Sequence, residues 1–240
     1  MNKTLRPVMA ATRESGDAPV SDSTQNRAYL AIRSAIMAGT FLPGTVLTLR
    51  RLSEMFEVSE MPIRESLKRL ASEGAFEALP NRSARIPKLS RRQIEHILDL
   101  RLELEGRAVA EAVETVSKRH IEELQSLDKQ MYEQLEAGAV HEYATLNQKF
   151  HFLIYGLAEN ETLFSLIEAL WLRFGPLVSF SVGFTLKIEA DMRETSASNH
   201  IGIIDALRSH DADAARAAVQ ADISYLTKFP GYWDALDHRT

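Results

Sequence analysis

Residues 49–70 read LRRLSEMFEVSEMPIRESLKRL, and this stretch decides the first half of the fold. Leu49, Leu52, Met55 and Phe56 recur at helical spacing, which predicts a short helix over Leu49–Phe56. Val58 and Ser59 make a turn, with Ser59 or Glu60 near the next cap. Pro62 suits a first helical turn, where its missing N–H costs nothing, and a following helix is predicted over Pro62–Glu73. Ile63, Leu67 and Leu70 face inward, leaving Arg64, Lys68 and Arg69 for water or phosphate. A pair of short helices about a tight turn, with cations on the outer face of the second, is the pattern of a helix-turn-helix. The partner it implies is double-stranded DNA.

Working outward, Tyr29, Ile32, Ile36 and Met37 predict an upstream helix over Ser23–Ala38, ended by Gly39 and the turn Phe41-Leu42-Pro43-Gly44. Downstream, Gly74 stops the second helix of the motif. Phe76–Leu79 and Ala84–Pro87 then read as strands around Pro80-Asn81-Arg82-Ser83, a β-wing. Residues 1–26 carry no apolar period and are expected to form a disordered arm ahead of a DNA-binding domain over 27–88. Beyond Ser90 the pattern is helical throughout. Six helices are expected, at about Arg91–Val116, Ser117–Ala137, His141–Ala158, Glu161–Phe184, Ile188–Ser209 and Asp211–Phe229. Ser117 and Asp211 are natural N-caps, and Gly175-Pro176 should kink or split the fourth of these helices. The expected fold is mainly α: an N-terminal winged helix-turn-helix with a small wing, then an all-α domain over 89–230 and a loose tail over 231–240.

Charge divides the chain in the same place. Residues 27–92 hold 12 Lys/Arg against 6 Asp/Glu, whereas residues 93–240 hold 13 against 24, so a basic segment precedes an acidic one within a chain of net charge −5. That division lets an acidic protein bind DNA at one end. The absence of cysteine excludes disulfides and thiolate metal sites and fits a reducing, cytoplasmic setting. No apolar run is expected to reach the roughly 18 residues of a membrane span.

The run Tyr29–Pro87 resembles the winged helix-turn-helix of GntR-family bacterial transcription regulators. The matching residues are Gly39, Pro43-Gly44, Leu52-Ser53, Val58-Ser59, Pro62-Ile63-Arg64-Glu65-Ser66-Leu67, Arg69-Leu70, Glu73-Gly74 and Asn81-Arg82. The helical remainder resembles the FCD effector domain of the FadR subfamily, through residues 99–105 (DLRLELE), Phe150-His151, Asn199-His200 and Asp211-Ala212 with Ala215-Arg216. Within the first domain this chain departs from the family by carrying Glu60 where a basic residue is usual, and Ser83 where Gly is usual.

An arginine can make two parallel hydrogen bonds to O6 and N7 of guanine. Arg50 and Arg64 match family positions that contact DNA and are the expected base readers; Ser59 and Lys68 are expected on phosphate, and Arg82 on phosphate or the minor groove. Glu60 either accepts a hydrogen bond from cytosine N4 or pairs with Arg64 one turn on. One reading helix covers a half-site, so a homodimer on a short near-palindrome is expected.

In the helical domain, Asn147 and His151 lie four apart on one face, His200 lies mid-helix, and Asp222 falls in the apolar pattern Val219–Ile223–Leu226. The resemblance implies that these positions ligate a divalent metal. Many relatives carry one Asp and three His there, and this chain carries Asn147, His151, His200 and Asp222, a set able to hold Zn, Ni or Mn. The alternative is a pair of hydrogen-bonded core histidines without metal. Arg101 sits in an otherwise apolar-periodic helix, so either Glu103 or Glu105 neutralises it or the carboxylate of a small organic acid effector does. Arg173, beside Trp171, is a second effector candidate, while Tyr155, Phe152 and Trp171 are expected in the core. The function these residues imply is a ligand-responsive DNA-binding regulator acting as a repressor. The competing reading is a metal-dependent enzyme built on the helical domain, since two His and a carboxylate can activate water. A sequence-independent architectural binder is disfavoured by the acidic bulk of the chain.

Overall fold

The computed structural model describes residues 20–79, 83–185, 190–228 and 230–237. Helix α1 (Val20–Met37) packs across α2 (Leu49–Phe56) and α3 (Glu60–Ser72). Ile32, Ile36, Leu52, Ile63 and Leu70 are fully buried between them. Their spacing of three or four residues puts each set on one helical face. Helix α1 starts ahead of the expected Ser23, so residues 20–22, expected in the arm, are helical. Thr48 caps α2 by accepting from Arg51 N at 3.2 Å, and Glu57 closes it in the left-handed region at φ 54°. Helix α3 also starts early, with Ser59 as N-cap and Glu60 in its first turn, where a carboxylate complements the helix dipole.

Strands β1 (Val46–Thr48), β2 (Glu77–Leu79) and β3 (Ser83–Arg85) form an antiparallel sheet in the order β1-β3-β2. The wing strands were legible, but β1 was not. It is three residues long with only Leu47 buried, too short for an alternating pattern to register. The wing tip, and with it the expected contact Arg82, lies outside the described residues.

The remaining helices are α4 (Arg91–Ala112), α5 (Lys118–Glu136), α6 (Val140–Gly156), α7 (Glu161–Thr185), α8 (Ala190–Arg208) and α9 (Ala212–Ser224). They pack as a ring in which α4 touches α9, α9 touches α8, then α5, α6 and α7 follow, and α7 returns to α4. Ser90 and Ser117 form capping boxes on α4 and α5, and Asp211 accepts from Ala214 N at 2.9 Å to start α9.

One alternative is decided and two expectations are corrected by the helical half. Helix α7 runs continuously through Gly175-Pro176, so of the two expected outcomes, a kink or a split, the split does not occur. It also carries an apolar stretch, Glu161–Phe184 with mean hydropathy 1.4, long enough by length and composition to cross a membrane. In this fold it is a core helix, packed on α1, α4 and α6. Finally, residues 231–237, expected in a loose tail, are helical. Helix α10 (Pro230–Asp237) buries Tyr232, Trp233 and Leu236. Tyr232 meets Phe180 and Phe184 edge-on and bonds Ser181 through its hydroxyl at 2.9 Å, while Arg91 lies 4.7 Å over Trp233. Aromatic burial holds a segment too short for helical periodicity to announce.

The two halves join through α1 and α7. Gly175 lies so close that a Cβ on it would stand 2.5 Å from Ile36 O and 2.6 Å from Met37 Cα. Gly39, at φ 68°, closes on Ser179 from the other side of the contact. Arg33 of α1 reaches Glu168 of α7 at 2.7 Å.

Candidate functional site

The outer surface of the helix-turn-helix presents the starts of α2 and α3. Arg50 is exposed in the first turn of α2, and its Nε donates to Glu54 at 2.9 Å, which leaves the guanidinium edge facing outward. Glu54 first, and Glu60 in addition, hold Arg50 firmly protonated. Ser59 and Glu60 are exposed at the start of α3. Lys68 projects one face along and pairs with Glu65 at 2.8 Å. Arg64 is half-buried, and its Nε has no hydrogen-bond partner. Among the described residues Glu60 makes no ion pair with Arg64, so of its two expected roles the i,i+4 pairing is not realised; its field falls on Arg50 instead. A carboxylate in the first turn of α3 also opposes the binding of a phosphate at that helix N-terminus.

The second site is a cavity of about 100 Å³ inside the six-helix ring. At about 15 Å³ per water it has room for an ion, a few waters and a small acid. All six helices of the ring contribute, and α10 adds Tyr232. Asn147 and His151 come from α6, His200 from α8 and Asp222 from α9. His151 Nε2 stands 3.4 Å from one oxygen of Asp222, and His200 Nε2 stands 3.8 Å from the other. One ligand atom from each of these residues lies within 4.8 Å of the rest, the dimension of a metal shell. Both histidines are buried, and Asn147 lines the same wall one turn before His151.

The far sides of both rings are occupied. His200 Nδ1 meets Asp128 of α5 at 3.2 Å. His151 Nδ1 meets the Tyr155 hydroxyl at 3.1 Å, and that hydroxyl donates to Glu105 of α4 at 2.5 Å. Glu105 is fully buried and also accepts from Arg101 Nε at 2.6 Å and Trp171 Nε1 at 3.0 Å. Burial works against the Arg101 charge, but Glu105 more than restores it. Arg101 in turn stacks 4.4 Å from Phe174 and 4.8 Å from Trp171.

This arrangement creates a charge conflict that a cation resolves. A carboxylate only accepts, so His200 Nδ1 carries the hydrogen toward Asp128. The Tyr155 proton is committed to Glu105, so the phenol oxygen accepts from His151 Nδ1–H. Burial and Glu105 hold that phenol well above its ordinary range, which keeps the proton in place. A neutral ring with its hydrogen on Nδ1 turns an Nε2 lone pair toward the Asp222 carboxylate, whereas a proton on Nε2 donates to it. Burial favours neutral Asp222, yet the His151 contact, His200 and Arg101 hold it below the usual carboxylate range. Burial likewise lowers His200, yet Asp128 and Asp222 raise it overall. Something positive belongs between them, either a proton or a metal ion. Asn147, His151, His200 and Asp222 fit a divalent cation with open positions.

Residues 96–224 match the FCD domain, and residues 24–86 match the family described as bacterial regulatory proteins, gntR family. The HTH-type transcriptional regulator McbR of Escherichia coli (strain K12) is 30% identical over 77% of this chain and 82% of its own length. The HTH-type transcriptional repressor RspR of the same strain is 24% identical over 83% of this chain and 86% of its own. The solved structure of E. coli McbR/YncC superposes with a TM-score of 0.76 at 26% identity, covering 93% of this chain and 99% of that one. The chain belongs to the GntR family. It is a DNA-binding transcription regulator with an FCD effector domain, and its relatives give no support to the enzyme alternative.

Of the residues expected in the FCD domain, Asn147, His151, His200, Asp222 and Arg101 all line the one cavity. Arg173 does not. It is exposed on the opposite side of α7, where a carbon built on Gly74 would lie 3.9 Å from its Nε. Its neighbour Trp171 is the one that faces the cavity, because successive helical residues are about 100° apart. Trp171, expected in the core, is thus both buried and part of the wall. Sequence reasoning named Glu105 as one possible partner of Arg101 but missed Asp128, Ser181 and Tyr232. Asp128 had no signal of its own; it is one of many acidic residues on an amphipathic helix.

Proposed function

We propose that this GntR-family protein is a repressor of the FadR subfamily, located in the cytoplasm, whose FCD domain senses a small organic acid through a bound divalent metal. The observation that carries this reading is the convergence of two buried Nε2 atoms and the Asp222 carboxylate in a cavity also lined by Arg101. Asn147, His151, His200 and Asp222 would hold Zn, Ni or Mn. The ion would supply positive charge and open coordination positions for the acid's carboxylate. Arg101 lines the same cavity and offers a second cationic contact. Arg173 has no part in this site.

The transmission follows from α7. One face carries Trp171, Phe174 and Val178 to the cavity, and the other carries Glu168, Gly175 and Ser179 to α1. Acid binding that favours one α7 position favours one setting of the reading helices. The acid shifts the population only to the extent that it binds the two settings unequally. A homodimer places two such helices on a near-palindromic operator, with Arg50 and Arg64 on bases, Ser59 and Lys68 on phosphate, and Arg82 on phosphate or the minor groove. Glu60 moves operator preference away from that of relatives with a basic residue there.

The test is metal analysis of protein purified without a His-tag after incubation with Zn, Ni and Mn. It is followed by a thermal-shift screen of small organic acids with and without the retained metal. One bound ion per chain and an acid whose stabilisation requires it are expected. Protein that retains none of the ions overturns the metal reading.

A further inference from the structure

The outer partners of the two histidines are built into the fold more firmly than a pair of core histidines requires. Asp128 comes from α5 and His200 from α8, 72 residues apart, and they meet at 3.2 Å. Tyr155 lies one turn after His151 on α6 and is held by Glu105, 50 residues away on α4. Glu105 is itself fixed by Arg101 and Trp171, so the Tyr155 hydroxyl has one available direction for its proton.

We propose that Asp128 and the Tyr155–Glu105 pair are positioning residues that lock His200 and His151 as Nδ1–H tautomers, so that both Nε2 atoms face Asp222 and preform the ion shell. This rests on the metal reading above for its purpose, but not for its geometry. The physical reason is that a ligating imidazole must offer a lone pair, and the hydrogen bond on its other nitrogen decides which nitrogen does so. Glu105 and Asp128 raise ligand basicity in the same way, by accepting from the distal N–H directly or through the phenol. The network also links ion and effector sites, since Glu105 is shared by Tyr155, on the ion side, and Arg101, on the acid side.

Two measurements on the full chain decide this. The first is zinc affinity, measured by chelator competition, for wild type, Tyr155→Phe and Asp128→Ala. Each variant is expected to lose roughly 10- to 100-fold in affinity. The phenylalanine keeps the ring and so guards against simple misfolding, which apo thermal unfolding checks. The second is the tautomer of each histidine in metal-free protein at mildly alkaline pH, read from ¹⁵N shifts. Wild type should show Nδ1–H at His151 and His200. Tyr155→Phe should disturb only His151, and Asp128→Ala only His200. Wild type that binds zinc while both variants bind within twofold of it overturns the proposal. So does an Nε2–H tautomer at either histidine in wild type. Wild type that binds no zinc but shows the expected tautomers overturns the metal reading and leaves the positioning role standing.

Discussion

The sign of the proton's effect at His200 follows from its surroundings. Burial alone would lower this histidine, but Asp128 and Asp222 raise it above its ordinary 6.5. A folded value above the unfolded one means that the proton stabilises the metal-free protein fully below about pH 6.5. That contribution is lost as pH rises through the raised folded value. A metal ion must displace the same proton, so metal-induced stabilisation should grow with pH across that interval. We expect the zinc-induced rise in Tm to be distinctly larger at about pH 8 than at about pH 6; equal shifts would mean that His200 is not a ligand. The buried Arg101–Glu105 pair makes a second prediction. Glu105→Gln leaves a buried guanidinium without its counter-charge, which costs about 3–5 kcal/mol. For a chain of this size the apo Tm should fall by on the order of 10 °C. On the DNA face, Arg64→Ala should cost about 1–3 kcal/mol on the operator and relax one base position, whereas Lys68→Ala should weaken all duplexes alike and lower the salt slope by about one. Binding selection on randomised duplexes with wild type and Glu60→Arg tests the role of Glu60; identical preferred sites would sink it.

Among the elements, α7 joins the effector domain to the reading helices. Its Gly175 permits backbone-to-backbone contact with α1, and any side chain there collides with Ile36 O and Met37 Cα. These are main-chain atoms that cannot rotate away. Gly175→Val should therefore separate α1 from α7. Glu168→Ala removes the nearer acidic partner of Arg33, at 2.7 Å against 3.9 Å for Glu73, without such a collision. We expect it to leave operator affinity and acid affinity each near wild type while weakening the effect of one on the other. Unchanged coupling, measured as the acid-dependent shift in operator Kd, would show that this ion pair takes no part. Element by element, the helices of residues 90–224 were legible because caps and apolar periodicity are local properties, as at Ser90, Ser117 and Asp211. Strand β1 and helix α10 were not, because three residues beside a partner strand and a short aromatic segment hold their shape through tertiary contact alone.

For the whole molecule, charge separates a basic DNA-binding segment from an acidic helical one, and in the proposed homodimer each chain supplies one reading helix. We expect two chains bound per duplex, on half-sites about 10 base pairs apart, with a steep fall in affinity as salt rises. A one-to-one complex at saturation would exclude the dimer. The helix-turn-helix, the mainly helical architecture and the identities of Arg101, His151, His200 and Asp222 as polar residues on apolar faces are legible in the chain alone. Each of these is written in spacings of three and four residues, which the backbone of a helix enforces locally. It took the packing of the helices to bring those residues into one cavity, to turn Arg173 away from it, and to set Asp128 behind His200 and the Tyr155–Glu105 pair behind His151. Those facts depend on how six helices pack around a common axis, and contacts 50 and 72 residues apart in the chain leave no periodicity in it to read.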